Sequence, residues 1–185
     1  DALVAGINLN IFNKHSDRVR MACLAQMVNV LQSVILTEGP KMVKTPTYHV
    51  FHMYRHHQGG KLLESALTGV ENIGIGEWKV PEITESVSKK DGIITITLNN
   101  LSVSDDKDLE ILLTENKSYE LVEANVVTSA DIHTYNTFDE PEKLKEEALS
   151  EYNAQVNLEE ENKNGSNVSG LSNRNIKQNG FVSCL

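Results

Sequence analysis

The spacing of apolar residues changes at Gly59-Gly60 from a helical period to a strand period. Before this pair, apolar side chains recur at helical spacing, and after it they alternate with polar ones. A helix and a strand bury their apolar side chains in different ways, so the two halves require different packing layers. The sequence therefore predicts two units, residues 1–60 and residues 61–185.

Residues 1–31 predict helix followed by strand. Residues 2–14 match an amphipathic helix, and residues 17–25 continue in helical style. The short apolar run 27–31 is typical of a buried strand. The apolar residues at helical spacing are Leu3, Val4, Ile7 and Ile11.

Thr45-Pro46 predicts the start of another helix, because Thr caps helices and Pro at the first helical position loses no hydrogen bond. Gly59-Gly60 predicts its end. Helix, strand and helix in this order suit the last segment of a (β/α)8 barrel or of a doubly wound sheet. Such a segment cannot close a barrel alone, so we expect its partners to lie outside residues 1–185.

Residues 61–185 predict a mainly β domain. Strand candidates without intervening helices are typical of an antiparallel sandwich or barrel. The polar segment 150–179 has little to bury and predicts a long loop or hairpin, and 181–185 predicts a last strand. The earlier strand candidates are 82–87, 93–98, 109–113 and 119–128.

Charge and composition exclude several partner classes. The formal net charge is −9 and the basic residues are scattered, so neither a nucleic acid nor a membrane surface is an expected partner. No apolar run approaches the roughly 20 residues that span a bilayer. The chain begins with Asp1, so the true N-terminus is expected upstream, and the compartment stays open.

His49, His52 and His56 share one face of the second predicted helix. Imidazoles at this spacing can bind zinc, but no zinc-protease signature or neighbouring cysteine accompanies them. We therefore predict surface or interface histidines and no metal or other cofactor.

Acidic residues are numerous, but none is predicted to be catalytic. The segments 138–141 and 76–78 lie beside turn residues, where nothing would bury a carboxylate or tune its pKa. Trp78 is predicted to pack at a domain interface, although an exposed tryptophan could stack on a sugar ring. Gln26 precedes the apolar run 27–31, and local reasoning leaves open whether it is structural or faces a pocket.

Several motifs in one order resemble α-L-arabinofuranosidases of glycoside hydrolase family 51. The stretches 10–19, 21–22 and 25–32 resemble the late barrel region, and 45–54 resembles the last barrel helix. Residues 136–141 are similar to a motif of the family's C-terminal domain. The likeness is specific to about residue 60, weaker to about residue 145 and poor in the tail.

The resemblance implies a (β/α)8 barrel followed by a jelly-roll-like C-terminal β-sandwich. It implies removal of terminal α-L-arabinofuranosyl groups from arabinan or arabinoxylan with retention of configuration. The family's two catalytic glutamates precede the matched region, so no catalytic residue is expected in this chain, whereas Gln26 matches a glutamine that lines the arabinose pocket. It also implies a homo-oligomeric parent enzyme.

Three functions remain open on this basis. The first is the C-terminal part of an arabinofuranosidase, inactive alone, and the second is a non-catalytic carbohydrate-binding β-sandwich module. The third, compatible with the first, is a β domain that braces the barrel. The low aromatic fraction of 5% counts against the module, because sugar platforms favour exposed aromatic rings.

Overall fold

A computed structural model describes residues 1–114, 119–149, 155–158, 169–176 and 181–184, with side chains described up to residue 149. Helix α1 spans Ala2–Lys14, which confirms the predicted helix 2–14. Helix α2 spans Pro46–Tyr54, and a 3₁₀ turn, Arg55–His57, follows it. The second helix therefore ends earlier than the glycine pair that was predicted to end it.

The strands are numbered in chain order and include two that form a hairpin before α2. They are β1 Ile35–Glu38, β2 Lys41–Lys44, β3 Lys61–Leu62, β4 Asn72–Ile75, β5 Trp78–Pro81, β6 Ile83–Lys90, β7 Ile93–Asn100, β8 Lys107–Leu113, β9 Ala124–Val127, β10 Glu147–Ala148, β11 Gln155–Leu158, β12 Ser169–Ile176 and β13 Phe181–Cys184.

The predictions for residues 17–25 and 27–31 are wrong. Residues 19–24 have no regular structure, and Val28 makes only an isolated parallel bridge with Ile35. Met27 and Leu31 are 62% and 87% exposed. A buried parallel strand needs neighbours on both edges and layers on both faces, and the described residues supply neither here.

The strands predicted at 82–87, 93–98 and 109–113 are confirmed by β6, β7 and β8. The strand predicted at 119–128 is shorter, since β9 covers only Ala124–Val127. Residues 119–123 are not assigned to a strand. Phe181–Cys184 confirms the predicted last strand.

Two antiparallel sheets and the separate β4–β5 hairpin form the described β part. One has six strands in the order β10-β9-β13-β7-β6-β3, and the other has three in the order β11-β12-β8. Within the segment predicted as a polar loop or hairpin, β11 and β12 pair with each other, and β12 also pairs with β8. The rest of that segment lies outside the described residues.

The sandwich core lies between the two sheets. Alternate residues of the six-stranded sheet form it, and Leu109 and Ile111 of β8 pack against them. Their burial drives the pairing of the two layers. The buried members are Ile83, Ile96, Leu98, Ala124 and Val126.

Helices α1 and α2 cover the opposite face of the six-stranded sheet. Val50, Met53 and Tyr54 of α2 pack against Val127 of β9, and Leu9 of α1 lies at the edge of this second cluster. The mainly antiparallel β architecture with few helices confirms the predicted fold class. Among the described residues, no helix is long and apolar enough to cross a membrane.

Candidate functional site

Gln26 lies in the irregular segment between α1 and β1 and is exposed to solvent. Its backbone is left-handed, with a φ of 54°, and Asn29 and Gln32 share this conformation with φ values of 55° and 57°. Non-glycine residues rarely adopt it, and each occurrence costs on the order of 1 kcal/mol. Surrounding hydrogen bonds must therefore hold this segment in place.

The hydrogen bonds that fix the segment come from strand β1 and the residue before it. The Met27 carbonyl accepts from the N–H groups of Val34 and Ile35, each at 3.1 Å. The Asn29 side chain accepts from the Thr37 N–H at 2.7 Å and donates to Thr37 Oγ1 at 2.8 Å. The peptide next to Gln26 is thus anchored to the β1–β2 hairpin.

A layer of buried polar side chains separates the two helices from the six-stranded sheet. The side-chain oxygen of Asn10, Oδ1, accepts from Tyr54 Oη at 2.6 Å and from Ser86 Oγ and Thr97 Oγ1 at 2.9 Å each. Its amide nitrogen donates to Thr84 Oγ1 at 3.2 Å. Burial raises the pKa of the Tyr54 hydroxyl, so this group stays protonated and can donate.

His57 extends this polar layer beneath the 3₁₀ turn. Its Nδ1 lies 2.7 Å from Ser88 Oγ and its Nε2 lies 3.1 Å from Thr97 Oγ1. Burial, with a smaller contribution from His56, lowers the pKa of His57 to about 4. The ring is therefore neutral near pH 7, with one nitrogen donating and the other accepting.

The predicted histidine face does not form a metal site. His49 Nδ1 accepts from the Glu146 N–H at 3.3 Å, and His52 Nδ1 lies 2.7 Å from Glu146 Oε2. His56 falls in the 3₁₀ turn. Among the described residues, no cluster of three or more potential ligands is placed to hold a metal ion.

The carboxylates that attract notice in the sequence are solvated. Asp139 has a side chain 94% exposed, and Glu140 is paired with Lys143 at 2.9 Å. Two other carboxylates are buried, but each has a lysine partner: Glu82 with Lys107, and Glu85 with Lys14.

Trp78 is not packed at an interface within the described part of the chain. It stands beside the two-residue turn of the β4–β5 hairpin, opposite Ile75, and is 88% exposed. Sequence reasoning also missed the Asn10 network, since a buried Asn and a solvated Asn look alike in an amphipathic helix. The one available signal was the run of small polar residues on one face of both β6 and β7.

This chain is similar in sequence to a protein family and to several known proteins. Residues 1–163 match the family model described as the α-L-arabinofuranosidase C-terminal domain. An intracellular exo-α-L-arabinofuranosidase of Bacteroides ovatus is 40% identical over 147 residues, which are 78% of this chain and 28% of that protein. An intracellular exo-α-(1→5)-L-arabinofuranosidase of Streptomyces lividans is 28% identical over 146 residues, 78% of this chain and 22% of that one.

A solved structure is also similar to this chain over its whole length. The crystal structure of the glycoside hydrolase family 51 arabinofuranosidase from Xanthomonas axonopodis pv. citri superposes with a TM-score of 0.79 at 36% identity. The match covers 100% of this chain and 34% of that one. The chain thus spans about a fifth to a third of the length of these similar proteins.

Proposed function

The chain belongs to the family of α-L-arabinofuranosidase C-terminal domains, and from this membership we propose that it works as the C-terminal part of a retaining α-L-arabinofuranosidase. That enzyme removes terminal α-L-arabinofuranosyl residues from arabinan or arabinoxylan. One glutamate attacks the anomeric carbon while another protonates the leaving oxygen, and water then hydrolyses the glycosyl-enzyme. Both glutamates come from outside these residues, and no cofactor takes part.

Gln26 is the residue proposed to contact substrate. A neutral amide can donate to one sugar hydroxyl and accept from another, which orients the ring without introducing charge. Its exposure and its anchored, left-handed backbone support this role, because strained conformations that surrounding contacts enforce cluster at functional sites.

The polar layer around Asn10 is the observation that carries the proposed bracing role of the β domain. It ties α1 and α2, whose sequences resemble the family's barrel region, to β6 and β7 by directional hydrogen bonds. Such bonds fix the relative position of two layers more specifically than apolar contact alone. The β sandwich would thereby hold the segment that carries Gln26 in a fixed position relative to the rest of the enzyme.

Turnover of a chromogenic α-L-arabinofuranoside tests the proposal. We expect none from the 185 residues alone, and turnover when they are joined to the barrel portion of a related enzyme. In that joined protein, Gln26→Ala should lower kcat/KM about tenfold, the worth of one good hydrogen bond. Gln58→Ala, at another exposed glutamine, serves as the control and should leave it unchanged.

Activity of the isolated chain that is lost on replacing Glu82 or Glu85 by Gln would contradict the proposal. These two carboxylates are the buried acidic side chains in the described part of the chain, so they are the first to replace in such a test.

A second candidate function is the non-catalytic carbohydrate-binding module, and the exposed Trp78 favours it. An aromatic ring at a hairpin tip can stack on a sugar face. Isothermal titration of the chain with arabinan should then show saturable heat that Trp78→Ala removes. A flat titration excludes this function and leaves the first one standing.

A further inference from the structure

A cavity of about 520 Å³ lies where the β part meets the segment that carries Gln26. Its walls are the first residues of α1 and α2, the loop 128–136 after β9, and residues Gln32 and Ser33. Val127 and Leu144 contribute apolar surface. This volume falls in the range of small-molecule sites, which pair an apolar lining with a few polar groups.

The loop 128–136 is held in shape by its own hydrogen bonds. Ser129 Oγ lies 2.6 Å from Thr134 Oγ1, and Asp131 Oδ1 accepts from the His133 N–H at 2.9 Å. Asn136, which is 4% exposed, donates to the carbonyls of Lys44 and Leu144 at 2.8 and 2.7 Å. The loop therefore presents a formed wall to the cavity.

Side chains with unused hydrogen-bonding capacity line this cavity. Within the described part of the chain, Gln32, His133 and Tyr135 make no side-chain hydrogen bond, and Asp131 uses only one oxygen. An amide, an imidazole, a phenol and a carboxylate together can satisfy both donors and acceptors of a polyhydroxylated ligand. Tyr135 is 66% exposed, so its ring is also available to a sugar face.

The charge of the lining selects against anionic ligands. Asp1 and Asp131 contribute carboxylates, and no Lys or Arg is among the described residues that line the cavity. The nearby cation Lys143 is already paired with Glu140. The lining therefore offers a phosphate or a uronate no side-chain cation, whereas a neutral sugar needs none.

The cavity is joined to Gln26 through the main chain. Ser33 lines it, and the next residue, Val34, donates its N–H to the carbonyl of Met27, which follows Gln26. Thr45 Oγ1 also donates to the Ser33 carbonyl at 2.7 Å, which fixes this wall to α2. We propose that the cavity is a second binding site, for a neutral arabinofuranosyl oligosaccharide, with Tyr135 as its aromatic platform. This inference rests on the proposed function for its ligand class.

Titration of the ¹⁵N-labelled 185-residue chain with α-1,5-linked arabinotriose tests the inference. We expect saturable amide shifts at Gln32 and in the loop 128–136, with a dissociation constant on the order of 1 mM. Tyr135→Ala should weaken binding about tenfold, as expected when an aromatic contact is lost. Val122→Ala, at an equally exposed side chain (67%) that does not line the cavity, is the control and should not change it.

Three outcomes would overturn the inference. The first is the absence of a saturable amide shift at these residues. The second is that Tyr135→Ala shows the same shifts and affinity as the wild-type chain. The third is that Trp78→Ala abolishes binding while Tyr135→Ala binds as the wild-type chain does. If Tyr135→Ala fails to fold by circular dichroism, His133→Ala replaces it with the same expectation. Because binding is measured without turnover, failure here is distinguishable from failure of the proposed hydrolase function.

Discussion

Asn10 shows how much structure a single amide can determine. Its carbonyl oxygen is shared by hydroxyls from α2, β6 and β7, and the residue is only 1% exposed. Buried polar groups are tolerated when they are hydrogen-bonded and costly when they are not. The packing of helix on sheet here therefore depends on completing this set of bonds.

Replacing Asn10 by Ala should lower the free energy of unfolding by about 2 kcal/mol, because buried hydroxyls lose their acceptor. Ser86 and Thr97 can still bond each other at 2.9 Å, which limits the loss. Urea denaturation measures the effect. Asn8→Ala, on the same helix but exposed, is the control, and an equal loss in both variants would contradict the role given to the network.

His57 should make stability depend on pH. Its pKa is about 4 in the folded protein and about 6.5 when unfolded. The unfolded chain therefore takes up a proton first as pH falls, so folding loses stability from about pH 6.5 down to about pH 4. The loss attributable to His57 is about 3 kcal/mol over that window.

The measurement is the difference between the wild-type protein and His57→Gln in urea denaturation at several pH values. The variant should show a smaller drop on acidification, because Gln bonds to hydroxyls without titrating. The pKa of His49 is also lowered, mainly by burial, so some dependence should persist in the variant. Parallel curves for the two proteins would refute the assignment.

Among the elements, α2 has the most complete sequence signal. The Thr45 side chain accepts from the Tyr48 N–H at 3.4 Å, and Pro46 occupies the first turn, as the sequence predicts. The same hydroxyl also donates to the Ser33 carbonyl, which no local pattern foretells. Thr45 is thus both a helix cap and a link to the cavity wall.

Thr45→Ala should destabilise the protein by about 1–2 kcal/mol, since it removes the cap and this second bond. Thr45→Ser keeps the hydroxyl and should recover most of the loss. Thermal unfolding of the three proteins distinguishes them. A Ser variant as unstable as the Ala variant would show that the methyl group, and not the hydroxyl, matters.

Elements whose neighbours are adjacent in sequence could be predicted, and those that depend on remote partners could not. Strands β6 and β7 meet across the short turn 91–92, and their alternation was sufficient to place them. The run 27–31 has the composition of a buried strand, but nothing in the described chain pairs with it beyond one bridge. The polar faces of β6 and β7 are covered by α1 and α2, which the alternation of these strands does not indicate.

The candidate site was predictable only in part for the same reason. The position of Gln26 came from a resemblance, and the local pattern could not reveal its left-handed backbone. The loop 128–136 lines the same cavity as residues 32–33, although the two segments are far apart in the sequence. Periodicity reports only on local structure, so it gave no indication of this contact.

At the scale of the whole molecule, apolar exposure is concentrated in residues 1–42. A groove of about 260 Å³ runs along α1 and is lined by Val4, Phe12, Leu24 and Phe51. Val4 is 61% exposed, and the nearby segment carries Leu31 at 87%. Contiguous exposed apolar surface of this kind is typical of surfaces that associate.

We therefore expect the 185-residue chain to self-associate, with a light-scattering mass that rises with concentration. A double variant, Val4→Glu with Leu31→Glu, should shift it toward the monomer, because burying carboxylates against apolar surface is costly. Val103→Glu, at an equally exposed valine of the β part (66%), is the control and should still associate. A monomeric mass for the wild-type chain at every concentration would contradict this expectation. It would mean that residues 1–42 rearrange in solution and bury these apolar side chains.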